Sequence, residues 1–307
     1  MRIAVIGTGG VGGAFGAALA KAGGDVTFVA RGAHLAAMRE RGLRVEGDRG
    51  NTLIQPVQAT DDPASIAPVD VVLFCVKLWD VESAGAQIKP IVGPDTAVIP
   101  LQNGIDAAER LAPILGWERL MGGTVGVSAT IGEPGLIRQT GTFMAMAFGE
   151  FDGRSSPRGE RLLSLAQRAG FGVTLTDAIQ TAIWTKFILL TAMSGVTALT
   201  RLPIGKLRDD PDVFGLFEAV MRETEAVGRA RGVALPSDVV ESRLASVKVT
   251  PPGVMASMAH DLLRGNRLEL PWLAGKVVAL GREYGIATPA NAAILAGLKP
   301  YANGRPD

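Results

Sequence analysis

Three glycines near the beginning of the chain have the spacing that a nucleotide phosphate requires. Gly7, Gly9 and Gly12 form a Gly-x-Gly-x-x-Gly pattern, with Gly10 inside it. One glycine of such a pattern permits a tight turn, the next lets the backbone approach a pyrophosphate, and the third lets a helix pack on a strand. The N–H groups at the start of that helix then face the phosphates. The alternative is a plain glycine-rich turn.

The segments around these glycines are typical of a βαβ unit. Residues 2–6 form a short apolar run that predicts a strand, residues 14–22 are small and predict a helix, and residues 26–30 predict a second strand. The glycine pattern is weak evidence on its own, but it is specific for a dinucleotide when it lies between a strand and a helix. We therefore expect a dinucleotide to bind at these four glycines.

The residue after the second strand distinguishes between the two nicotinamide dinucleotides. An NAD site usually has Asp or Glu here, which binds the ribose hydroxyls, whereas this chain has Arg31. A guanidinium pairs bidentately with a 2′-phosphate that a carboxylate would repel. Arg31 therefore favours NADPH, unless it is only a solvated strand end. His34, close by, either assists or lies on the surface.

Two more polar residues follow predicted strands. Lys77 comes after residues 69–76, an apolar run typical of a parallel strand buried on both faces, and Asn103 comes after the strand predicted at residues 97–101. Ligands of open α/β sheets bind beyond the carboxyl ends of the strands, so both residues are candidates for binding. The alternatives are an ordinary surface lysine and, because Asn-Gly is a strong turn dipeptide, a simple turn.

Strands and helices alternate only in the first part of the chain. Strands at residues 120–127 and 143–148, with helices at 81–89 and 107–115, favour an open, mostly parallel sheet. From about residue 177 onward the patterns are helical and are interrupted by prolines.

The expected fold is therefore an α/β Rossmann-type, doubly wound domain followed by an all-helical domain. We place the NADPH-binding domain at residues 1–175 and a helical domain for substrate binding and dimerisation at residues 177–307. Helices are predicted at residues 213–230, 239–246 and 273–284. Their apolar stripes are consistent with a homodimer, but packing in a core explains them equally well.

Composition argues against several kinds of site. The net charge is +1 without a long basic run, which gives no indication of a nucleic-acid partner. Cys75 is the single cysteine and lies in an apolar run, so we expect a buried structural thiol, and with two histidines we expect no metal site. No signal peptide precedes the first strand, and the apolar residues 187–199 are too few to span a bilayer, so we expect a cytoplasmic protein without a membrane segment.

Taken together, the motifs resemble the ketopantoate reductase family (2-dehydropantoate 2-reductases). The resemblance rests on Gly7-x-Gly9-x-x-Gly12, Val76-Lys77, Gln102-Asn103-Gly104, Trp184-x-Lys186 and Ser257-Met258 with the later Glu269. It implies an NADPH-dependent oxidoreductase of a small 2-oxo acid, by default 2-dehydropantoate in pantothenate biosynthesis. It also implies that the cofactor and the substrate lie in a cleft between the two domains.

The resemblance implies a role for each of these residues. Lys186 would be the general acid that protonates the alkoxide formed after hydride transfer, once desolvation has lowered its ordinary pKa of about 10.4. Asn103 would position the nicotinamide and the substrate, Lys77 would line the cofactor side, Glu269 would contact the substrate, and Ser257 would hold its carboxylate. The catalytic set is thus Lys186, Glu269 and Asn103. The sequence alone also allows a snorkelling lysine, a structural ion pair at Glu269 and a surface serine.

Two positions depart from the family pattern. Family members that act on ketopantoate typically have asparagines four and eight residues after the catalytic lysine, where this chain has Leu190 and Ser194. Both lie toward the lysine's side of a helix, and Ser194 stays a candidate for substrate binding. Because the lost amides would relax or redirect selectivity, a more apolar 2-oxo acid is an alternative substrate. A non-catalytic NADPH sensor is the alternative of a different class, against which Lys186 and Glu269 argue.

Overall fold

The computed structural model describes residues 1–306 and divides the chain into two compact units. The first unit comprises Met1–Gln102 and Asp106–Ile179. The second comprises Asn103–Ile105 and the chain from Gln180 onward. The short segment Asn103–Ile105 therefore belongs with the second unit although the chain on either side of it belongs to the first.

The first unit is an α/β structure. Its strands are β1 (Arg2–Ile6), β2 (Asp25–Val29), β3 (Leu43–Gly47), β4 (Thr52–Ile54), β5 (Gln58–Thr60), β6 (Val69–Phe74), β7 (Val92–Pro100), β8 (Gly122–Glu133), β9 (Leu136–Gly149) and β10 (Gly172–Leu175). Its helices are α1 (Gly10–Lys21), α2 (Gly32–Arg41), α3 (Val81–Gln87), α4 (Ala107–Leu115) and α5 (Pro157–Arg168).

One five-stranded sheet has the order β5-β2-β1-β6-β7, and all of its neighbouring strands are parallel. Apolar residues of α1 and α5 cover one face of this sheet, and those of α3 and α4 cover the other. Burial on both faces explains why β6 is a continuous apolar run. The predicted doubly wound α/β fold is confirmed.

The prediction of one open sheet requires a correction, because β8 and β9 belong to a second sheet. This sheet has the order β10-β9-β3-β4, and β8 pairs with β9 in antiparallel orientation. Only Pro134 and Gly135 separate β8 from β9, and Gly135 has a φ of +80°. Such a short connection joins antiparallel strands, whereas parallel neighbours need a long crossover. The Pro-Gly dipeptide is the sequence signal for this hairpin.

The described part of the second unit is helical, as predicted. Its helices are α6 (Ile179–Thr200), which begins at the last residue of the first unit, α7 (Ile204–Arg208), α8 (Pro211–Ala230), α9 (Val239–Lys248), α10 (Ser257–Arg264), α11 (Ala274–Tyr284) and α12 (Pro289–Leu298). The side chain of Asp210 accepts hydrogen bonds from two N–H groups at the start of α8, where Pro211 is the first helical residue. Residues from all of these helices form one apolar core.

Helix α6 is longer than the apolar residues 187–199, whose length was the reason to expect no membrane segment. The helix has 22 residues and is apolar and long enough, by length and composition only, to cross a membrane. However, 56% of its most apolar window is buried inside the structure. Trp184, Phe187 and Val196 of this helix lie in the apolar core of the second unit. Packing in that core accounts for the composition of α6.

Candidate functional site

The first glycine of the loop after β1 forms a tight turn. Gly7 has a φ of +93°, a left-handed conformation that favours glycine, and a Cβ there would lie 2.9 Å from the backbone nitrogen of Val76. The N–H groups of Gly7 and Thr8 both donate to the Val29 carbonyl, at 3.2 and 3.1 Å. The turn therefore lies against the carboxyl ends of β2 and β6, as the glycine pattern predicts.

Of the other glycines in the loop, Gly10 and Gly12 are closely packed, whereas Gly9 is open to its surroundings. A Cβ on Gly10 would overlap the Ala129 carbonyl of β8, and one on Gly12 would lie 2.9 Å from the Val5 side chain of β1. A Cβ on Gly9 would have nothing within 4 Å, and no side chain caps the first turn of α1. An open approach beside uncapped N–H groups suits a pyrophosphate. These residues fit the cofactor, although its binding to them stays a prediction.

Arg31 is exposed at the residue that precedes α2. Its Nη2 donates to Oε1 of Gln87, the last residue of α3, at 3.2 Å. The first turn of α2, which follows Arg31 in the chain, has no side-chain cap for its N–H groups. The position suits a 2′-phosphate, which stays a prediction.

His34 is partly buried. Its Nδ1 accepts a hydrogen bond of 3.1 Å from the N–H of Gly135, in the turn between β8 and β9. Burial lowers the pKa of His34, and a hydrogen bond with the Thr8 backbone opposes this shift. The imidazole therefore ties α2 to the hairpin turn.

A thiol, Cys75, and an exposed ammonium, Lys77, follow the end of β6. Lys77 is exposed, and its Nζ lies 5.6 Å from the centre of the Trp79 ring. Cys75 lies beneath the glycine loop, where burial raises the pKa of its thiol to about 12. Cys75 is partly exposed as a whole residue. Because the thiolate is the reactive form, the raised pKa makes this thiol less reactive.

The three residues that the sequence assigns to catalysis form a hydrogen-bonded group in the second unit. The Lys186 ammonium donates to Oδ1 of Asn103 at 3.3 Å, and Nδ2 of Asn103 donates to Oε2 of Glu269 at 3.2 Å. Glu269 is 6% exposed, whereas Lys186 and Asn103 are partly buried. The fold thus brings together residues that are 83 and 166 positions apart in the chain.

The local structure holds each of these side chains in place. Lys186 lies in α6 next to Phe187, which is fully buried and packs edge-to-face against Trp184. Glu269 lies between the buried Leu268 and Leu270, and its carbonyl accepts hydrogen bonds from the N–H groups of residues 272 and 273. Asn103 is followed by Gly104, which has a φ of +96° and gives the chain a sharp turn.

Burial and the negative charge of Glu269 shift the pKa of Lys186 in opposite directions. Burial lowers the pKa of the ammonium to about 8, and the Glu269 carboxylate opposes this shift. Desolvation thus acts in the direction expected from the apolar sequence after Lys186. An ammonium with this pKa is mostly protonated at neutral pH, yet it loses its proton more readily than an exposed lysine. It can both stabilise a developing alkoxide and protonate it.

Replacing Glu269 with Gln is expected to lower the pKa of Lys186 further. In the unaltered protein, the kcat/KM of a reaction that needs protonated Lys186 would fall as the pH rises through about 8. The amide removes the negative charge that raises the pKa of Lys186, so the decline should begin at a lower pH. The exposed Glu241 provides the control variant Glu241→Gln, which should keep the original profile. An unshifted decline in Glu269→Gln would contradict the electrostatic coupling.

The residues proposed for substrate contact differ in accessibility. Ser257 is exposed at the first residue of α10, whose first turn has no side-chain cap. Leu190 is partly buried against the apolar core of the second unit. Ser194 is 1% exposed, and its Oγ has no hydrogen-bond partner. Substrate binding by Ser257 and Ser194 stays a prediction.

Sequence reasoning missed Arg110, which contacts the segment after β6. Its guanidinium donates to the carbonyl of Leu78, the residue after Lys77, at 2.7 Å. The one sequence signal was the acid–base pair Asp106 and Arg110, spaced four residues apart around the start of a predicted helix. That spacing predicts a pair within one helix, but it does not predict a contact with Leu78.

Comparison with known proteins gives matches over most of the chain. The family model described as "Ketopantoate reductase PanE/ApbA" matches residues 3–153, and "Ketopantoate reductase PanE/ApbA C terminal" matches residues 178–302. A curated relative, the 2-dehydropantoate 2-reductase of Caulobacter vibrioides, is 32% identical over 98% of this chain and 99% of its own length.

Solved structures agree with this result. The PanE/ApbA family ketopantoate reductase from Ralstonia eutropha JMP134 has a TM-score of 0.90 and 34% identity, with 98% of each chain covered. The 2-dehydropantoate 2-reductase from Geobacter metallireducens has a TM-score of 0.91 and 29% identity, with 97% of this chain and 99% of that one covered. The similarity therefore extends through both units.

Proposed function

Because this chain belongs to the ketopantoate reductase family, we propose that it reduces 2-dehydropantoate to pantoate with hydride from NADPH. The chain is an NADP-dependent oxidoreductase, as its family is. The observation that carries the proposal is the hydrogen-bonded group of Lys186, Asn103 and Glu269, which holds an ammonium of lowered pKa. Related proteins from Caulobacter vibrioides and Geobacter metallireducens are 2-dehydropantoate 2-reductases.

Residues of the first unit would hold the cofactor. Gly7, Gly9, Gly10 and Gly12 would bind the pyrophosphate together with the first turn of α1. Arg31 would pair with the 2′-phosphate, and this pairing would give the preference for NADPH over NADH. Lys77 would contact the cofactor from the end of β6. When bound, NADPH supplies the hydride that reduces the 2-oxo carbon.

Residues of the second unit would complete the reaction. As hydride reaches the 2-oxo carbon, negative charge develops on the carbonyl oxygen, and the Lys186 ammonium stabilises this charge. A proton then passes from Nζ to the oxygen, which leaves a neutral amine that solvent reprotonates. Asn103 accepts a hydrogen bond from Lys186 and donates one to Glu269, and these bonds fix the position of Nζ. Ser257 would hold the substrate carboxylate.

A second substrate class is a more apolar 2-oxo acid. The observation in its favour is Leu190, which lies one helical turn after Lys186 and is only partly buried. A leucine there offers no hydrogen bond to a hydroxyl of the substrate, so discrimination in favour of a hydroxylated 2-oxo acid would be weaker. A non-catalytic NADPH sensor is disfavoured, because a sensor has no need of the group formed by Lys186, Asn103 and Glu269.

The expected setting of the enzyme is also part of the proposal. We expect a cytoplasmic enzyme of a small 2-oxo acid, with neither nucleic acid nor a membrane as a partner. The helical unit is where a homodimer would form, and sedimentation velocity would measure the oligomeric state.

The first experiment is NADPH oxidation followed by absorbance, with 2-dehydropantoate beside a panel of bulkier, more apolar 2-oxo acids. Rapid turnover of 2-dehydropantoate is expected and would show that the enzyme tolerates Leu190 and Ser194. Turnover of only the apolar acids would replace the substrate assignment and retain the chemistry. Binding of NADPH without turnover of any acid would favour the sensor and contradict the proposal.

A further inference from the structure

Arg110 is held by three partners on one side of the parallel sheet. It lies in the first turn of α4, and its side chain is 18% exposed. Nε and Nη2 donate to the two carboxylate oxygens of Glu82, each at 2.7 Å, and Nη2 also donates to the Leu78 carbonyl at 2.7 Å. Nη1 lies 3.8 Å from Oδ1 of Asp106, the residue that precedes α4. One guanidinium thus contacts α3, α4 and the segment after β6.

The contact with Leu78 fixes the backbone next to Lys77. Leu78 is fully buried and begins a short 3-10 helix, Leu78–Asp80. The N–H of Asp80 donates to the Lys77 carbonyl at 2.9 Å, which closes this turn. Glu82, the other main partner of Arg110, lies in the first turn of α3, directly after it. Arg110 therefore holds the turn that carries Lys77 at two points, Leu78 and Glu82.

The geometry requires an arginine at this position. A planar guanidinium can donate to both oxygens of one carboxylate and to a carbonyl at the same time, which a lysine ammonium does not reproduce. The hydrogen bond from Arg110 is the main reason that the pKa of Glu82 lies below its ordinary value. Glu82 is 56% exposed, so its ion pair alone would contribute little to stability. The partly buried bond to the Leu78 carbonyl is the more consequential contact.

We propose that Arg110 is a positioning residue for NADPH, which acts by holding the turn that presents Lys77. The inference rests on the proposed function in one respect, namely that Lys77 contacts the cofactor. Arg110 itself is assigned no contact with NADPH. Its effect on the cofactor should therefore depend entirely on the presence of Lys77.

The test measures the Kd of NADPH by calorimetry for the unaltered protein and its variants. Arg110→Met is expected to weaken NADPH binding about ten-fold, because a bidentate charged contact and a carbonyl bond are lost together. Arg110→Lys should restore little of this loss, because it keeps the charge but loses the planar geometry. Arg119→Met is the matched control, since Arg119 follows α4 and bonds to the Leu115 carbonyl and Glu118. It should leave the Kd unchanged.

A double-variant cycle with Lys77→Ala decides whether the effect passes through Lys77. We expect Lys77→Ala to weaken binding and Arg110→Met to add almost nothing in that background. The inference would be overturned if Arg110→Met raised the Kd of NADPH equally in the unaltered and Lys77→Ala proteins. It would also be overturned if Arg110→Met changed the Kd in neither of them. If Lys77→Ala itself leaves the Kd unchanged, the proposed contact of Lys77 fails and the inference fails with it. The reductase activity of the unaltered protein tests the rest of the proposed function separately.

A milder variant, Glu82→Gln, is needed in case Arg110→Met destabilises the fold. Glu82→Gln alters only the exposed partner, so the fold should persist, and thermal unfolding can verify this. We expect it to weaken NADPH binding about three-fold, in the same direction as Arg110→Met. If Arg110→Met is unstable, Arg110→Lys takes its place because it keeps the charge, and an unchanged Kd in that variant would show that the positioning role is wrong.

Discussion

Replacing Lys186 with alanine is expected to lower kcat for the reduction by about a thousand-fold, while NADPH binding stays unchanged. In the proposed mechanism the ammonium supplies both charge stabilisation and the proton for the alkoxide, so its removal leaves water as the only acid. Asn103 and Glu269 would keep their own hydrogen bond, which does not involve Lys186. Single-turnover kinetics with NADPH already bound would measure the chemical step directly.

The matched control is Lys206→Ala, because Lys206 is an exposed lysine on α7 of the same unit. It should retain full kcat. A small primary amine added to Lys186→Ala should restore part of the activity, and the restored rate should follow the protonated fraction of the amine. Normal turnover of Lys186→Ala without added amine would show that the general acid has been assigned wrongly.

The main elements could be predicted from the sequence because their patterns are local. Helix α4 was predicted at residues 107–115, and the structure has Ala107–Leu115. Helix α1 was predicted to begin at residue 14, but it begins at Gly10. Glycine has a low helix propensity, so the first turn of α1 does not resemble a helix when it is considered alone. The last glycines of the Gly-x-Gly-x-x-Gly pattern, Gly10 and Gly12, are also the beginning of the helix.

The second sheet could not be predicted in the same way. Strands β8 and β9 extend beyond their apolar segments into polar residues, where pairs such as Ser128 with Thr140 continue the hairpin. Strand β4, at the end of this sheet, has only three residues, Thr52–Ile54. Such segments become strands because a neighbouring strand supplies their hydrogen bonds, and that information is not local.

In the candidate site, too, residues in recognisable motifs could be predicted from the sequence, whereas a residue whose contacts are distant in the chain could not. Lys186, Asn103 and Glu269 belong to motifs that the family resemblance connects, and the structure joins all three by hydrogen bonds. Arg110 has no such motif, because its partners Leu78 and Glu82 lie 32 and 28 residues away on another helix and turn. Contacts of this kind depend on the packing of α3 against α4, which periodicity does not specify.

Replacing Arg31 with Asp is expected to weaken NADPH binding by roughly a hundred-fold and NADH binding only slightly. The substitution removes a bidentate partner of the 2′-phosphate and introduces a repelling charge, and neither change affects a cofactor without that phosphate. Arg31 is exposed, so the fold should not depend on it. The measurement is the Kd of both cofactors for each variant, by calorimetry at one fixed salt concentration.

Three further variants distinguish the loss of attraction at residue 31 from the added repulsion and from the change in net charge. Arg31→Ala should lose the attraction without adding repulsion, and its Kd for NADPH should lie between those of the unaltered protein and Arg31→Asp. Gln87→Ala removes the partner of the Arg31 guanidinium and should weaken NADPH binding less than either. Arg39→Asp, on the same helix α2 and also exposed, is the control for net charge and should have little effect on either cofactor. Equal weakening of NADH and NADPH in Arg31→Asp would exclude a 2′-phosphate contact, because an effect common to both cofactors must come from a group that both of them possess.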